Sequence, residues 1–182
     1  VKIFLIVEGD SDKIIINSQN SWFNNLGLHF NIITTGGKIN MIKTASKHYN
    51  MAIIQNAKNV IYLPDQNNDE CPLITRKNIG VDNKKGAKTI VLKRELEAWI
   101  LADSKCIRNS INIQYAPAGQ TDKEINPKEK LHSMIENKLG YSPTTLEAAT
   151  LIAPHFSINR ASNYNTSAKR FKEYIENISR LC

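Results

Sequence analysis

The sequence predicts an α/β fold: a mainly parallel, Rossmann-like sheet flanked by helices and followed by a helical C-terminal part. Three observations carry this expectation. Short β-branched runs alternate with stretches of helical spacing, as βαβ units require. The first run stops abruptly at a polar Glu-Gly-Asp turn, as a strand feeding a helix does. Beyond residue 127 only helical spacing remains.

Residues 2–7 read as a buried strand stopped by Glu8-Gly9-Asp10-Ser11-Asp12. Asp10 or Ser11 caps a helix that carries Ile14, Ile15, Trp22, Phe23 and Leu26, with Gly27 as its stop. A second β-rich run over 28–35 is broken by Gly36-Gly37. Residues 39–57 have helical length and spacing through Met41, Ala45, Tyr49, Ala52 and Ile53. A third strand over 59–63 ends at Pro64-Asp65, and a fourth over 89–92 leads into a helix over 94–103. Residues 111–127, rich in Asn, Gln, Gly and Pro, have no sustained period and mark a loop or lobe boundary. Helices over 128–138, 144–152 and 167–181 follow. The expected organisation is an α/β core over residues 1–105 and a helical extension over 106–182 packed on it.

A chain of 182 residues is long enough for one domain with its own core. Hydrophobic residues at 41% and charged residues at 23% exclude wholesale disorder and a fibrous repeat. The apolar runs, such as 3–7 and 14–16, are far too short to cross a bilayer, and no secretory signal pattern is visible, so the expected location is the cytoplasm and no membrane partner is expected. Cys71, Cys106 and Cys182 are odd in number and lack a Cys-x-x-Cys pair, which encodes neither a disulfide framework nor a zinc site. Twenty-four Lys and Arg residues against 17 acidic ones give a net charge of +7, which favours a polyanionic partner such as nucleic acid.

In an open parallel sheet, ligands bind outside the carboxyl ends of the strands. Glu8 follows the first strand, with Asp10 and Asp12 behind it. Asp65 follows the third, with Asn67 and Asp69 at two-residue intervals. If these strands are neighbours their carboxylates converge, and oxygen ligands of this kind suit Mg²⁺ or Mn²⁺. The competing reading is that Asp10, Asp12, Asp65 and Asp69 only build turns. A calcium loop over 65–69 is excluded, since its glycine and terminal Glu are missing.

From Leu96 to Ala102 every residue except Glu97 is apolar, so this helix is expected to be buried and Glu97 to face interior or a lined cleft. A buried carboxylate needs a cation, a hydrogen bond or a metal. For Glu97 an internal salt bridge competes with a site role. Glu95, on another side of that helix against Trp99, is a candidate for offsetting the helix dipole.

Val7-Glu8-Gly9-x-x-Asp12, the acidic motif at Asp65, and Glu95-Leu96-Glu97-Ala98-Trp99-x-Leu101-Ala102-Asp103 together resemble the small TOPRIM-like proteins of unknown function associated with bacterial phage defence and abortive infection. The resemblance covers residues 1–105 and reaches the end through Ser167-x-x-Arg170-Phe171. TOPRIM domains use a Glu after the first strand and an Asp-x-Asp after a later one to hold Mg²⁺. The resemblance therefore implies Glu8 as acid/base or metal ligand and Asp65 as metal ligand. The sequence departs from the pattern at Asn67, a neutral residue in the second acidic position, with Asp69 one step further on.

The expectation is a Mg²⁺-dependent (or Mn²⁺-dependent) nuclease or related phosphodiester enzyme, with Glu8, Asp65 and Glu97 catalytic and Glu8, Asp65 and Asp69 holding metal. Lys38, which follows Gly36-Gly37 at the start of a helix, and Lys93 and Arg94 are the candidate phosphate-binding cations. Asp12, Glu95 and Asp103 complete the candidate set. The alternative is a non-catalytic module or sensor that partners nucleic acid or a defence ATPase. The four histidines, His29, His48, His132 and His155, are scattered and suggest no metal cluster.

Overall fold

A computed structural model describes residues 1–67 and 69–181; Asn68 and Cys182 lie outside the described residues. The chain runs β1 (Lys2–Val7), α1 (Asp10–Asn17), α2 (Asn20–Asn25), β2 (His29–Thr34), α3 (Lys38–Ile54), β3 (Asn59–Leu63), α4 (Pro72–Ile79) and β4 (Ala87–Thr89). The remainder is helical: α5 (Glu97–Leu101), α6 (Ser104–Ile111), α7 (Pro127–Leu139), α8 (Thr145–Ile152), α9 (Ile158–Ala161) and α10 (Thr166–Arg180), with two short 3₁₀ turns. The four strands form one sheet in the order β2-β1-β3-β4, and every pairing is parallel.

Alternate residues of the central strands serve opposite faces. Ile3, Leu5, Val7, Ile61 and Leu63 pack with Ile15, Phe23, Trp99 and Phe171, whereas Phe4, Ile6, Val60 and Tyr62 pack with Met41, Ala45, Ala52 and Ile79. The sheet is thus a middle layer with α3 and α4 on one side and the other helices opposite. Burial on both faces explains why β1 is an unbroken apolar run and not an alternating one. Apolar residues of the helical extension, among them Leu131, Ile152 and Ile178, join the same cluster as β1.

Several expected boundaries move, each for a local reason. The helix expected up to Leu26 breaks between α1 and α2, where the buried Gln19 amide donates to the Phe156 carbonyl and accepts from the Ile158 amide. That long-range pair outweighs helical continuity. The fourth strand ends earlier than expected, although Ile90 and Leu92 still donate to the Tyr62 and Pro64 carbonyls. The helix expected over 94–103 starts only at Glu97, because Arg94 has a φ of 70° and cannot belong to a right-handed helix. Helix α4 has no counterpart in the sequence reading, yet Pro72 opens it and the left-handed Gly80 closes it.

One glycine closes the sheet between β3 and the turn before β4. Gly86 has a φ of +73°, a Cβ there would lie 2.6 Å from the Lys58 carbonyl oxygen, and its own carbonyl accepts from the Val60 amide. Gly86→Ala is expected to lose about 1–3 kcal/mol of stability. Urea unfolding checks this, and an unchanged midpoint would contradict it.

Candidate active site

The connection from β1 leads outward to β2 on one side, and that from β3 leads outward to β4 on the other. The strand order therefore reverses between β1 and β3, and a crevice opens outside their carboxyl ends. Val7 is in register with Leu63, so the next polar residues, Glu8 and Asp65, emerge side by side. The Asp65 amide donates to Glu8 Oε1 at 2.8 Å. The Glu8 carbonyl accepts from the amides of Gly36 and Gly37, both at 2.9 Å, so the Gly-Gly turn after β2 holds the end of β1 in place. Asp12 closes the first turn of α1 by accepting from the Gly9 amide at 2.9 Å.

Electrostatics join five carboxylates here. Burial pushes the Asp65 carboxyl well above the usual range, and the charges of Asp12, Glu8, Glu97 and Glu95 push it further. Its Oδ1 is buried without a hydrogen-bond partner among the described residues. Burial also raises Glu8, against the opposing pull of the Asp65 amide and the nearby Lys38. Asp12 is raised chiefly by burial, against the Gly9 amide. Glu97 is pushed up to about 7, first by burial and then by Glu95 and Asp12, with Lys128 acting in the other direction.

The apolar residues around Glu97, from Leu96 to Ala102, are all buried, while Glu97 itself is half-buried. The salt bridge weighed for it does not form: its side chain has no ion pair among the described residues, and Lys128 compensates it only at longer range. Glu97 and Asp12 instead line one narrow crevice with His132. Glu95 sits in the turn before α5, displaced from the expected helix by the left-handed Arg94. A polar cavity of about 470 Å³ beside it is lined by Asn67, Arg94, Glu95 and Lys128, among others. Asn67 is also left-handed, with a φ of 48°, and its amide donates to the Arg94 carbonyl at 3.1 Å. Two strained residues thus brace each other at this mouth.

Other expected site residues have different employment. Asp69 accepts from Lys38 Nζ and Thr75 Oγ1, both at 2.5 Å, and these bonds hold its carboxyl below the usual range. The largest charges acting on Asp65 are those of Asp12, Glu8, Glu97 and Glu95. Lys38 also donates to the Gln66 carbonyl at 2.9 Å, so it straps the loop after β3 to the start of α3. Lys93 donates its amide to Ser167 Oγ at 3.3 Å. Asp103, 1% exposed, caps α6 through the Cys106 amide, accepts from the Ser157 amide and receives Arg160 through two nitrogens at 2.7 and 2.8 Å. Its bonds are those of a buried structural ion pair. Lys128 and His132, brought in by α7, carry no sequence signal linking them to Glu97; only the tertiary packing of α5 against α7 does so.

The donors fit a hard divalent cation in their chemistry: all are carboxylate oxygens, the charges of Asp12, Glu8, Glu97 and Glu95 raise the proton affinity of Asp65, and Asp65 offers a buried oxygen with no hydrogen-bond partner among the described residues. Among the described residues no three His, Cys, Asp or Glu side chains already close into an ion cage.

The fold and this crevice define an α/β protein with a carboxylate cluster at the reversal point of a parallel sheet. The chain matches no protein-family model, no curated protein and no solved structure. No helix among the described residues is long and apolar enough to cross a membrane.

Proposed function

We propose that the protein is a Mg²⁺- or Mn²⁺-dependent phosphodiester-cleaving enzyme acting on nucleic acid, as its likeness to TOPRIM domains implies. The observation that carries this reading is the pairing of Glu8 with Asp65 at the β1/β3 reversal, with an unpartnered Asp65 oxygen buried between further carboxylates. Glu8 and Asp65 would hold the metal. A bound divalent ion supplies neutralisation of phosphate charge and a more acidic water. In hydrolysis water adds to phosphorus while one P–O bond breaks, so one proton must be accepted and one supplied to the leaving oxygen. Glu97, poised at about 7, is suited to hold that proton near neutral pH. Arg94 and Lys128 line the adjoining cavity, where they can face phosphate oxygens. Phage defence remains the setting that the resemblance suggests.

A non-catalytic binding module, alone or beside an ATPase, is the second reading. Asn67 in place of an acidic residue and the absence of a closed cage among the described residues favour it.

Metal dependence of stability separates the two. Because the Asp65 carboxyl is raised on folding, the folded chain keeps a proton that the unfolded chain has released above about pH 3.9. The stability this contributes is full below that value and is lost as pH rises through the folded value. Asp65→Asn removes the titration, so metal-free Asp65→Asn is expected to melt above wild type at pH 8, with the gap closing toward pH 4. Mn²⁺ should raise the melting temperature of wild type and leave that of the variant in place. Equal shifts in both, or none in wild type, would remove the metal reading.

A further inference from the structure

A second polar cavity, of about 420 Å³, lies beside β4 at the edge of the sheet, between the start of α4 and the face of α10. Three cations from three elements line it: Arg76, Lys88 and Arg170. Arg76 donates through Nε to Asp82, whose other oxygen accepts the Thr89 amide at 2.7 Å. That pair fixes the guanidinium and leaves its two terminal nitrogens without a partner among the described residues. Lys88 meets only the ring face of Tyr174, at 5.9 Å from its centre. Arg170 is exposed, and its side chain has neither a hydrogen bond nor an ion pair among the described residues. The acidic residue on the wall, Glu173, sits 4.0 Å from Lys169.

Two further observations point to a ligand. Thr89, on the same wall, is 4% exposed, and its buried hydroxyl has no hydrogen-bond partner among the described residues. Leu73 brings the first turn of α4 to the rim; Pro72 has no N–H and the Ile74 amide donates to the Cys71 carbonyl at 3.1 Å, so the Leu73 amide is the first-turn donor left to favour an anion. Ile90, Val91 and Tyr174 supply an apolar wall beside these groups, and the volume is that of a small-ligand site.

We propose that this cavity is a phosphate-binding pocket, separate from the carboxylate cluster, in which Arg76, Lys88 and Arg170 grip a phosphate of a nucleotide unit. Opposite charge and forked guanidinium donors suit a phosphate, and the apolar wall suits the sugar or base joined to it. The phosphate can come from a free nucleotide or from a nucleic-acid strand. The proposal stands whether or not Glu8 and Asp65 hold metal.

The test titrates the ¹⁵N-labelled full chain, without metal, with inorganic phosphate, AMP and a short 5′-phosphorylated oligonucleotide. Phosphate and AMP are expected to move the amide signals of Thr89, Ile90 and Tyr174 in a salt-sensitive way. Arg170→Gln and Lys88→Gln should each weaken AMP about tenfold. Glu8→Gln should leave that binding unchanged. AMP tighter than the oligonucleotide assigns a free nucleotide, and the reverse order assigns a strand; both support the pocket. No movement with millimolar phosphate or AMP would overturn it, as would full affinity in Arg170→Gln, whose exposed side chain can be changed without disturbing the fold.

Discussion

Glu8→Gln is expected to lower divalent-dependent cleavage of nucleic acid by about a hundred- to a thousandfold, the scale for removing a group that faces reacting charge. The shape should survive, because a glutamine carbonyl can still accept the Asp65 amide that Glu8 Oε1 accepts at 2.8 Å. The Gly36 and Gly37 amides bond the Glu8 backbone and would not notice the change. Binding should persist or strengthen, since the variant removes a charge that repels phosphate while the net charge of +7 is made still more positive. Asp69→Asn is the informative contrast: its partners are Lys38 and Thr75, so a much smaller loss of cleavage is expected there. Single-turnover assays on RNA and DNA with Mg²⁺ and Mn²⁺, paired with binding curves at two salt concentrations, check both. Undiminished cleavage by Glu8→Gln would refute its role, and equal losses in the two variants would show that Asp69 shares it.

The sheet was legible because burial on both faces leaves a mark along the chain. The β1 run and the 59–63 strand coincide with the observed elements, and a polar residue directly after each strand is a local signal as well. Glu8 and Asp65 could therefore be picked out before the strand order was known. What the sequence lacked was information held by distant partners. No local signal marks Gln19, whose bonds to Phe156 and Ile158 end α1. Asp69 sat at a ligand-like spacing, but Lys38 from another element claims it. Asp103 closes the Glu95–Asp103 block and is the buried partner of Arg160, 57 residues on. Arg94 gave no cue to its left-handed backbone, which is what takes Glu95 out of the helix. Helix α4 goes unread in the sequence: Pro72 and Gly80 bound it, but its short mixed composition gives no clear apolar stripe.

The block of residues around Trp99 leads to the second large effect. Helix α5 has only five residues, too few to be stable by its own hydrogen bonds, so its place must be set by packing. Trp99 is fully buried, stands 5.4 Å ring to ring from Phe171, and donates its indole N–H to Ser167 Oγ at 2.8 Å. Ser167 in turn accepts from the Lys93 amide and donates to Asn165, the cap of α10. One side chain thereby ties α5, the turn before it and the last helix together, and Glu97 rides on that arrangement two residues away. Trp99→Ala is expected to cost about 3–5 kcal/mol, from lost burial and a large cavity. Ser167→Ala removes the acceptor but keeps the ring, and should cost nearer 1–3 kcal/mol for the indole N–H it leaves unpaired. Trp99→Phe keeps aromatic packing against Phe171 while freeing Ser167, and should fall well short of the alanine variant. Chemical denaturation of the three variants orders these effects. A cost for Trp99→Ala no greater than for Ser167→Ala would mean that the hydrogen bond and not the ring positions α5, and hence Glu97.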